Sequence, residues 1–428
     1  MNRFFQKLKG AFGGHDAHAK NTVRYFLIVI TFLLFLFFSN DFDLINVQKT
    51  AIVVAIGIDR TDDEFTVTSQ IAIPGASGQS GNEQAMDVVT SGKTVAQALE
   101  AVNEKTGWYP KLVFCRLLLL GESTTNRNVF DALEYFLRDE YIADDCLVAA
   151  CDGSAQELLS TQTPIDASGA EAIEKVLSNH AKRVGTSLPN TLRLFSASYF
   201  GADQSGFLPL VKAESLSDEQ AQSKGAQQNS QGKQDETQNG GQSGKSQEQS
   251  GEGGKSGQSA QEQVFSAGET ALFSKGVRIG TLSKEESFVY AVIKNNLRLA
   301  SYSLPYDEQT YTLTVKKSNP SVKLSMDKEK KLTVSVRLAA GIADASKAKP
   351  VEQTVDVGDL PAGLLPAAAE KLTGEIRALF EKCRALNFDA FDAIDKLQKY
   401  EREHFEAHKD TLLQDLSLDV QVEFKSVR

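Results

Sequence analysis

The sequence predicts an α+β protein of mixed α/β modules behind an N-terminal transmembrane helix. Between residues 51 and 184, apolar β-branched runs alternate with amphipathic helical patterns, which indicates a mixed-sheet N-terminal domain. After residue 269, strand patterns precede two helical stripes and a final alternating strand, which predicts an antiparallel-sheet C-terminal domain with long helices. A long apolar run precedes both domains.

That run is Tyr25–Phe38, in which thirteen of fourteen residues are apolar. A helix over residues 23–39 would rise about 25 Å at ~1.5 Å per residue, slightly less than a hydrocarbon core of ~30 Å. A buried core helix or a cleaved signal peptide could carry a similar run. Asn40–Asp43 offers no small-residue cleavage site, and no cysteine follows the run. The sequence therefore predicts an uncleaved signal-anchor over residues 23–39.

Charges on the two sides of the run predict its orientation. Basic residues lie before it and acidic residues directly after it: Arg3, Lys7, Lys9, Lys20 and Arg24, then Asp41 and Asp43. Because positive flanks stay in the cytoplasm, residues 1–22 are predicted to be a cytoplasmic tail, and the bulk of the chain is predicted to be extracytoplasmic. The net charge of −10 argues against a nucleic-acid-binding protein.

The N-terminal domain is predicted over residues 45–210. Its predicted strands are 51–58, 65–73, 112–120 and 145–150, and its predicted helices are 93–107, 126–138, 154–159 and 170–184. Arg116 places a charge inside a buried strand and must reach an edge or a carboxylate, so an internal ion pair is expected in preference to a functional arginine. His180 lies on the apolar helix face, where a core histidine is commoner than a ligand.

The four cysteines do not form a disulfide scaffold. If Cys146–Cys151 is one strand, its end residues are about 17 Å apart, too far for the ~7 Å limit of a disulfide. Cys115 could neighbour either of them. Buried structural thiols are the favoured interpretation, because no CxxC pair or histidine-rich cluster indicates a metal.

Residues 215–263 are predicted to be a disordered polar linker or insertion, since they are almost devoid of large apolar side chains. The C-terminal domain is predicted over residues 265–428. Its first hairpin, 269–282, could alternatively form a small middle module. A helix starting near Pro366 carries one apolar stripe, Asp389 can cap the helix that follows, and residues 416–424 alternate as a strand.

The sequence offers little catalytic chemistry. His404 and His408 are four residues apart on one predicted helix, but Glu406 is not at the position of a zincin's general base, and no third ligand is evident. The paired acids Asp144 and Asp145 are not set in any recognisable cleft. We therefore predict no catalytic, cofactor-binding or metal-ligating residue, no cofactor and no enzymatic activity.

Four blocks in a shared order resemble the Ger(x)C family, the C subunits of nutrient germinant receptors in endospore-forming bacteria. The blocks are Ile45-Asn46 with Ala51–Asp59, then Ala132–Arg138 with Gly153–Leu159, then Gly268–Leu282, and finally Phe391–Tyr400 with the last strand. Family members are usually lipoproteins with a cysteine after the apolar run, whereas this chain has Asn40–Asp43 there. The polar stretch 215–263 is also longer than the family needs.

The resemblance implies three α/β modules on the outer face of the spore inner membrane. It implies polytopic A-type and B-type receptor subunits as partners, and it carries over no catalytic residue. The expected function is a non-enzymatic, membrane-anchored receptor subunit in spore germination. A protein that itself binds a small nutrient is the alternative, followed by a cell-wall hydrolase. The germinant, the partner face and the oligomeric state stay open.

Overall fold

The structure is a computed structural model. It describes residues 17–38, 50–73, 85–139, 141–164, 166, 168–178, 185, 187–215, 263–297, 299–327, 329–346 and 360–426. The predictions for residues 1–16, for His180 and for the polar segment 216–262 lie outside these residues. The chain divides into two compact units, Met1–Thr50 and Ala51–Arg428, which are described separately.

The first unit contains helix α1, Ala17–Phe38, whose side chains from Tyr25 to Phe35 are mostly exposed and apolar. Thr31 donates its hydroxyl hydrogen bond back to the Leu27 carbonyl at 2.8 Å. Within the described part of the chain, no helix combines the length and apolar character needed to cross a membrane. The structure thus gives no support to the transmembrane prediction for residues 23–39.

The second unit opens with a ten-stranded mixed sheet. Its strands are β1 Thr50–Arg60, β2 Phe65–Ala72, β3 Ala85–Gly92, β4 Tyr109–Lys111, β5 Leu117–Leu120, β6 Leu147–Cys151, β7 Asn190–Thr191, β8 Ser205–Ser215, β9 Gln263–Ser274 and β10 Val277–Leu282. Eight of them follow the order β10-β9-β8-β6-β5-β1-β2-β3, with β4 paired to β1 and β7 to β6. The hairpins β1–β2 and β9–β10 are antiparallel as predicted, whereas β1, β5 and β6 are parallel neighbours.

The polar segment 216–262 joins two strands that pair directly. β8 and β9 are antiparallel, and Ser215 lies opposite Gln263. Residues 263–282 therefore belong to the same sheet as residues 50–215.

Helices cover both faces of this sheet. They are α2 Val95–Thr106, α3 Glu122–Thr125, α4 Phe130–Arg138, α5 Ala155–Ser160, α6 Gly169–Leu177 and α7 Leu192–Tyr199. One face packs against α2 and α4 through residues such as Leu99, Leu133 and Phe136, and the other packs against α5 and α6 through Leu159 and Ile173. The strands β1, β5 and β6 are buried on both faces, which explains their continuous apolar runs.

The C-terminal part contains a second sheet in the order β11-β12-β13-β14. Its elements are α8 Lys284–Ile293, β11 Ala300–Tyr306, β12 Gln309–Ser325, β13 Lys331–Ser346, α9 Leu364–Ala385, α10 Ala393–Tyr400, α11 Arg402–His408, α12 Leu412–Asp415 and β14 Ser417–Ser426. The prediction of an antiparallel sheet was wrong for one pair, because β14 runs parallel to β13. The connection between these strands carries α9–α12, and such a crossover returns the chain in the same direction.

All four cysteines are buried free thiols, as predicted for Cys115, Cys146 and Cys151. Burial raises the pKa of Cys151, and it raises the pKa of Cys383 to about 12. A hydrogen bond with Cys115, together with burial, raises the pKa of Cys146. A raised pKa keeps these side chains in the thiol form, which makes them poor nucleophiles.

Candidate functional site

The parallel strands β1, β5 and β6 end side by side at what we call the carboxyl edge of the ten-stranded sheet. In open α/β sheets, ligands and functional groups gather outside this edge. Asp59 lies near the end of β1, Gly121 follows β5, and Asp152 follows β6. A functional site is therefore expected at the carboxyl edge.

The Asp59 carboxylate holds the start of helix α5. It accepts hydrogen bonds from the Ser154 hydroxyl at 2.8 Å, from the Ala155 amide at 2.9 Å and from the Gln156 amide at 3.0 Å. The first amides of a helix have no partner within the helix, and a negative charge there is further favoured by the helix dipole. Asp59 thus joins β1 to a segment about ninety-five residues later in the chain.

Two glycines make this close approach feasible. A Cβ atom on Gly121 would lie 1.9 Å from Oδ1 of Asp59, and one on Gly57 would lie 2.9 Å from Cδ1 of Leu159. The distance at Gly121 is far below van der Waals contact, so a side chain there would displace Asp59, whereas one at Gly57 would require the Leu159 side chain to shift. The Asp59 cap therefore depends on the absence of a side chain at Gly121.

An ion-pair chain joins the same edge to the β9–β10 hairpin. Asp152 pairs with Arg278 at 2.8 Å and with Lys212 at 3.3 Å, and Lys212 also pairs with Glu269 at 2.8 Å. Burial acts to raise the pKa of Asp152, but the hydrogen bonds and charges of Arg278 and Lys212 outweigh it and hold the pKa below its usual value. The ion pairs of Asp152, Lys212, Glu269 and Arg278 thus link β6, β8, β9 and β10.

The described polar groups of the carboxyl edge are engaged in structural contacts. Asp59 accepts hydrogen bonds from three donors, Ser154 donates to Asp59 rather than to a base, and Cys151 is a buried thiol. The arrangement holds β1, β6 and α5 together.

Metal chemistry finds no support among the described residues either. No group of three histidine, cysteine or acidic side chains in that part of the chain could hold a metal ion. His404 and His408 lie on α11 with ring centroids 6.2 Å apart, and Glu406 pairs with Lys409 instead. The hydrolase alternative needs a clustered set of such groups.

Two cavities of the second unit bear on the nutrient-binding alternative. One lies between β1, β5 and α6, and another lies under α9 beside Phe391; each has a volume of about 10 Å³. That is space for a single water molecule. Neither cavity could hold an amino acid or a sugar.

Arg116 meets a carboxylate, as the sequence predicted, but not inside the core. Its Nε lies 3.2 Å from Oε2 of Glu174, and the arginine side chain is 55% exposed. The strand begins only at Leu117, so Arg116 lies at the sheet rim. Asp144 is likewise an exposed rim residue, 3.7 Å from Arg193.

Comparison with known proteins decides the family. The N-terminal domain of spore germination proteins matches residues 43–213, and the C-terminal domain of germination B3/GerAC-like proteins matches residues 268–428. The chain belongs to the Ger(x)C family. The resemblance read from the four sequence blocks is thereby confirmed.

Curated relatives agree with this assignment. Spore germination protein B3 of Bacillus subtilis (strain 168) is 26% identical over 141 residues, which is 32% of this chain and 37% of that protein. Spore germination protein A3 of the same organism is 27% identical over 195 residues, which is 44% of this chain and 51% of that protein. The matched regions thus span about a third to a half of each Ger(x)C relative.

A solved structure shows the same fold. The crystal structure of the GerBC protein superposes with a TM-score of 0.50 at 14% identity, covering 87% of this chain and 97% of that one. The mixed sheets and helices described above are therefore a Ger(x)C fold.

The structure gives the Ger(x)C blocks a physical role that the sequence did not reveal. Asp59 ends the first block, and its hydrogen-bond partners lie in the second, Gly153–Leu159. In the third block, Arg278 pairs with Asp152 directly. Glu269 of the same block pairs with Lys212, which in turn pairs with Asp152. Three blocks distant in sequence thus meet at one sheet edge. Gly and Asp residues recur at the strand ends of these blocks, which could have indicated a shared edge. No sequence spacing, however, could predict which of these residues contact one another.

A second polar cluster joins the first sheet to the C-terminal part. Asp389 is buried and accepts the Ile394 amide at 2.7 Å, so it caps α10 as predicted. Burial raises the pKa of Asp389, and burial together with the charges of Asp389 and Asp395 raises the pKa of Asp203 from 3.8 to about 6. Lys294 pairs with Asp392 beside them. Like charges therefore face each other between the loop before β8 and helix α10.

We expect the Asp203→Asn variant to be more stable than the wild type at neutral pH only. The raised folded-state pKa means that Asp203 favours folding below about pH 4 and that this contribution is lost as the pH rises through about 6. The neutral amide avoids that loss, so the gain should be about 2 kcal/mol near neutral pH after allowance for solvent screening. Chemical unfolding at acidic and at neutral pH measures it. An equal effect at both pH values would contradict the assignment.

Proposed function

We propose that this chain is a non-enzymatic subunit of a spore nutrient germinant receptor and acts in spore germination by binding polytopic A-type and B-type receptor subunits. The observation that carries the proposal is the pair of family matches, which cover both halves of the chain in the family's order. The names of the two Bacillus subtilis relatives also refer to spore germination.

A binding role fits the chemistry of the described residues. The shared blocks are used to fasten β1, α5, β6 and the β9–β10 hairpin to one another. An assembly subunit needs a rigid body of this kind to present surfaces to its partners and to transmit a change between them.

Membrane attachment through residues 23–39, with residues 50–428 on the outer face of the spore inner membrane, is part of the proposal. The support is the apolar run with its basic preceding flank and the exposed apolar side chains of α1. No cysteine follows the run, so attachment should survive when lipoprotein diacylation is blocked.

The test is nutrient-triggered germination of spores that lack this chain and any paralogue able to replace it. A receptor subunit predicts loss of the nutrient response with a normal response to a trigger that does not act through nutrient receptors. A normal nutrient response would reject the proposal.

A further inference from the structure

Exposed apolar side chains of the second unit are concentrated at one end of the ten-stranded sheet. We call this end, where β1, β5 and β6 begin, the amino edge. Among the described residues after Thr50, eleven large apolar side chains are exposed. Nine of them belong to segments that start or finish at the amino edge: Ile73, Met86, Trp108, Tyr109, Val113, Phe114, Leu137, Tyr141 and Leu194. Only Phe200 and Tyr400 lie elsewhere.

Strand register places the first two at this edge. Ala72 lies opposite Ile52 near the start of β1, so Ile73 follows directly beyond it. Met86 lies opposite Ile71 on the next strand.

The aromatic centre of the edge comes from the segment between α2 and β5. One side of β1 is paired with β2 over Ile52–Arg60, and the other is paired with β5 over Ala55–Ile58. Strand β4, which carries Tyr109, must therefore lie beside the first residues of β1. Trp108 directly precedes it and is 44% exposed.

A tight turn follows. The Cys115 amide donates to the Leu112 carbonyl at 2.9 Å and closes a turn with Val113 and Phe114 at its tip. These side chains are 46% and 54% exposed, although a turn tip normally carries polar residues. An apolar turn tip beside a tryptophan and a tyrosine is a surface that water does not favour.

The remaining side chains flank this centre. Tyr141 precedes β6 and is 71% exposed. Leu137 lies in the last turn of α4, before the chain reaches β6. Leu194 lies in the first turn of α7, where the Leu192 amide donates to the Cys146 carbonyl at 2.8 Å.

Charges of both signs lie near the amino edge, and several are paired. Arg116 pairs with Glu174, Arg138 with Glu134, and Arg193 with Asp144. The edge therefore offers aromatic and aliphatic side chains among paired charges rather than a basic patch. Tryptophan and tyrosine prefer the membrane–water interface, where the ring meets acyl chains and the polar atom meets headgroups.

We propose that the amino edge rests on a lipid surface, with Trp108, Tyr109, Val113 and Phe114 inserted at the headgroup level. Chain continuity favours lipid over a protein partner, since only residues 39–49 separate the apolar run from Thr50, which begins β1 at this edge. The inference rests on the membrane attachment in the proposed function. It adds a second contact, which orients the rest of the chain on the membrane.

Trp108 is the single tryptophan of the chain, so its emission reports on this surface alone. The full-length chain is reconstituted into phosphatidylcholine vesicles with and without lipids brominated near the headgroup end of the acyl chain. We expect a blue shift of Trp108 emission relative to the detergent-solubilised chain, and loss of most of that emission in brominated vesicles. Because phosphatidylcholine is zwitterionic and the proposed contact is apolar, added salt should not reverse either change.

Matched variants distinguish lipid contact at the amino edge from nonspecific adsorption of the protein to vesicles. The double variant Tyr109→Ser with Phe114→Ser should reduce the quenching, whereas Tyr400→Ser, which removes a ring that is 70% exposed elsewhere, should not. Thermal unfolding of each variant checks that the exposed substitutions leave the fold intact.

The outcomes separate the two proposals. Co-flotation with vesicles and quenched Trp108 support both. Co-flotation without quenching overturns the lipid contact at the amino edge and leaves membrane attachment standing. A blue shift that appears only with co-expressed receptor subunits, again without quenching, overturns it in favour of a protein partner. Failure to float with vesicles overturns both.

Discussion

Replacing Gly121 by alanine should destabilise the fold by about 3 kcal/mol, the upper end of the usual cost of overpacking. The added methyl carbon would lie 1.9 Å from Oδ1 of Asp59 and 3.2 Å from the Ala155 amide nitrogen. Asp59 cannot simply turn away, because three donors hold its carboxylate. Either the Asp59 cap is lost or β5, whose residues are all buried, shifts within the sheet. Denaturant unfolding of the detergent-solubilised chain measures the change.

Gly374→Ala is the matched control for this substitution. Gly374 lies inside helix α9, and a Cβ atom there would meet no atom within 4 Å. Alanine in a helix interior is more favourable than glycine by about 0.5–1 kcal/mol, so the same chemical change should stabilise the protein. Equal stability of the Gly121→Ala variant and the wild type would show that the carboxyl edge is not closely packed.

Replacing Asp59 by alanine should cost about 2 kcal/mol, because α5 loses its charged cap and two amides lose their acceptor. The Ser154 hydroxyl would keep its weaker bond from the Glu157 amide at 3.4 Å, so part of the cap remains. Asp59→Asn keeps one acceptor oxygen and should lie between alanine and the wild type. Unfolding free energies of the three proteins test the order.

Two double-mutant cycles locate the effect. Asp59→Ala with Ser154→Ala should lose less than the sum of the single losses, since both remove the same hydrogen bond. The stability lost on combining Asp59→Ala with Gly121→Ala should also be less than the sum of the single losses, because the Asp59 carboxylate with which the new methyl group clashes is gone. Additive losses in both cycles would contradict the interlocked geometry.

Much of the first sheet follows from local sequence pattern. The apolar runs of β1, β5 and β6 predicted buried strands. The segment Ser274-Lys275-Gly276 predicted the turn between β9 and β10, and Lys275 and Gly276 take positive φ there. Strand β11 was missed, although Ala300, Tyr302 and Leu304 are buried at every second position. The period-two signal was present there but was interrupted by Pro305.

Pairings between distant segments could not be predicted. Strand β9 pairs with β8 rather than forming a separate module with β10. The hydrophobic pattern of β9 alone does not determine which strand it pairs with. The parallel β13–β14 pair depends on the path of α9–α12 rather than on the alternation of β14. Asp59 was visible as part of a sequence block, but its partners in α5 become neighbours only when the chain folds.

Germination of spores tests the central claim most directly. Spores lacking this chain, and any related C subunit, are given a nutrient mixture, and the fall in optical density of the suspension is followed. The account predicts no nutrient response, recovery when the wild-type chain is restored, and an unchanged response to a trigger that does not act through nutrient receptors. A full nutrient response in the absence of the chain would contradict it.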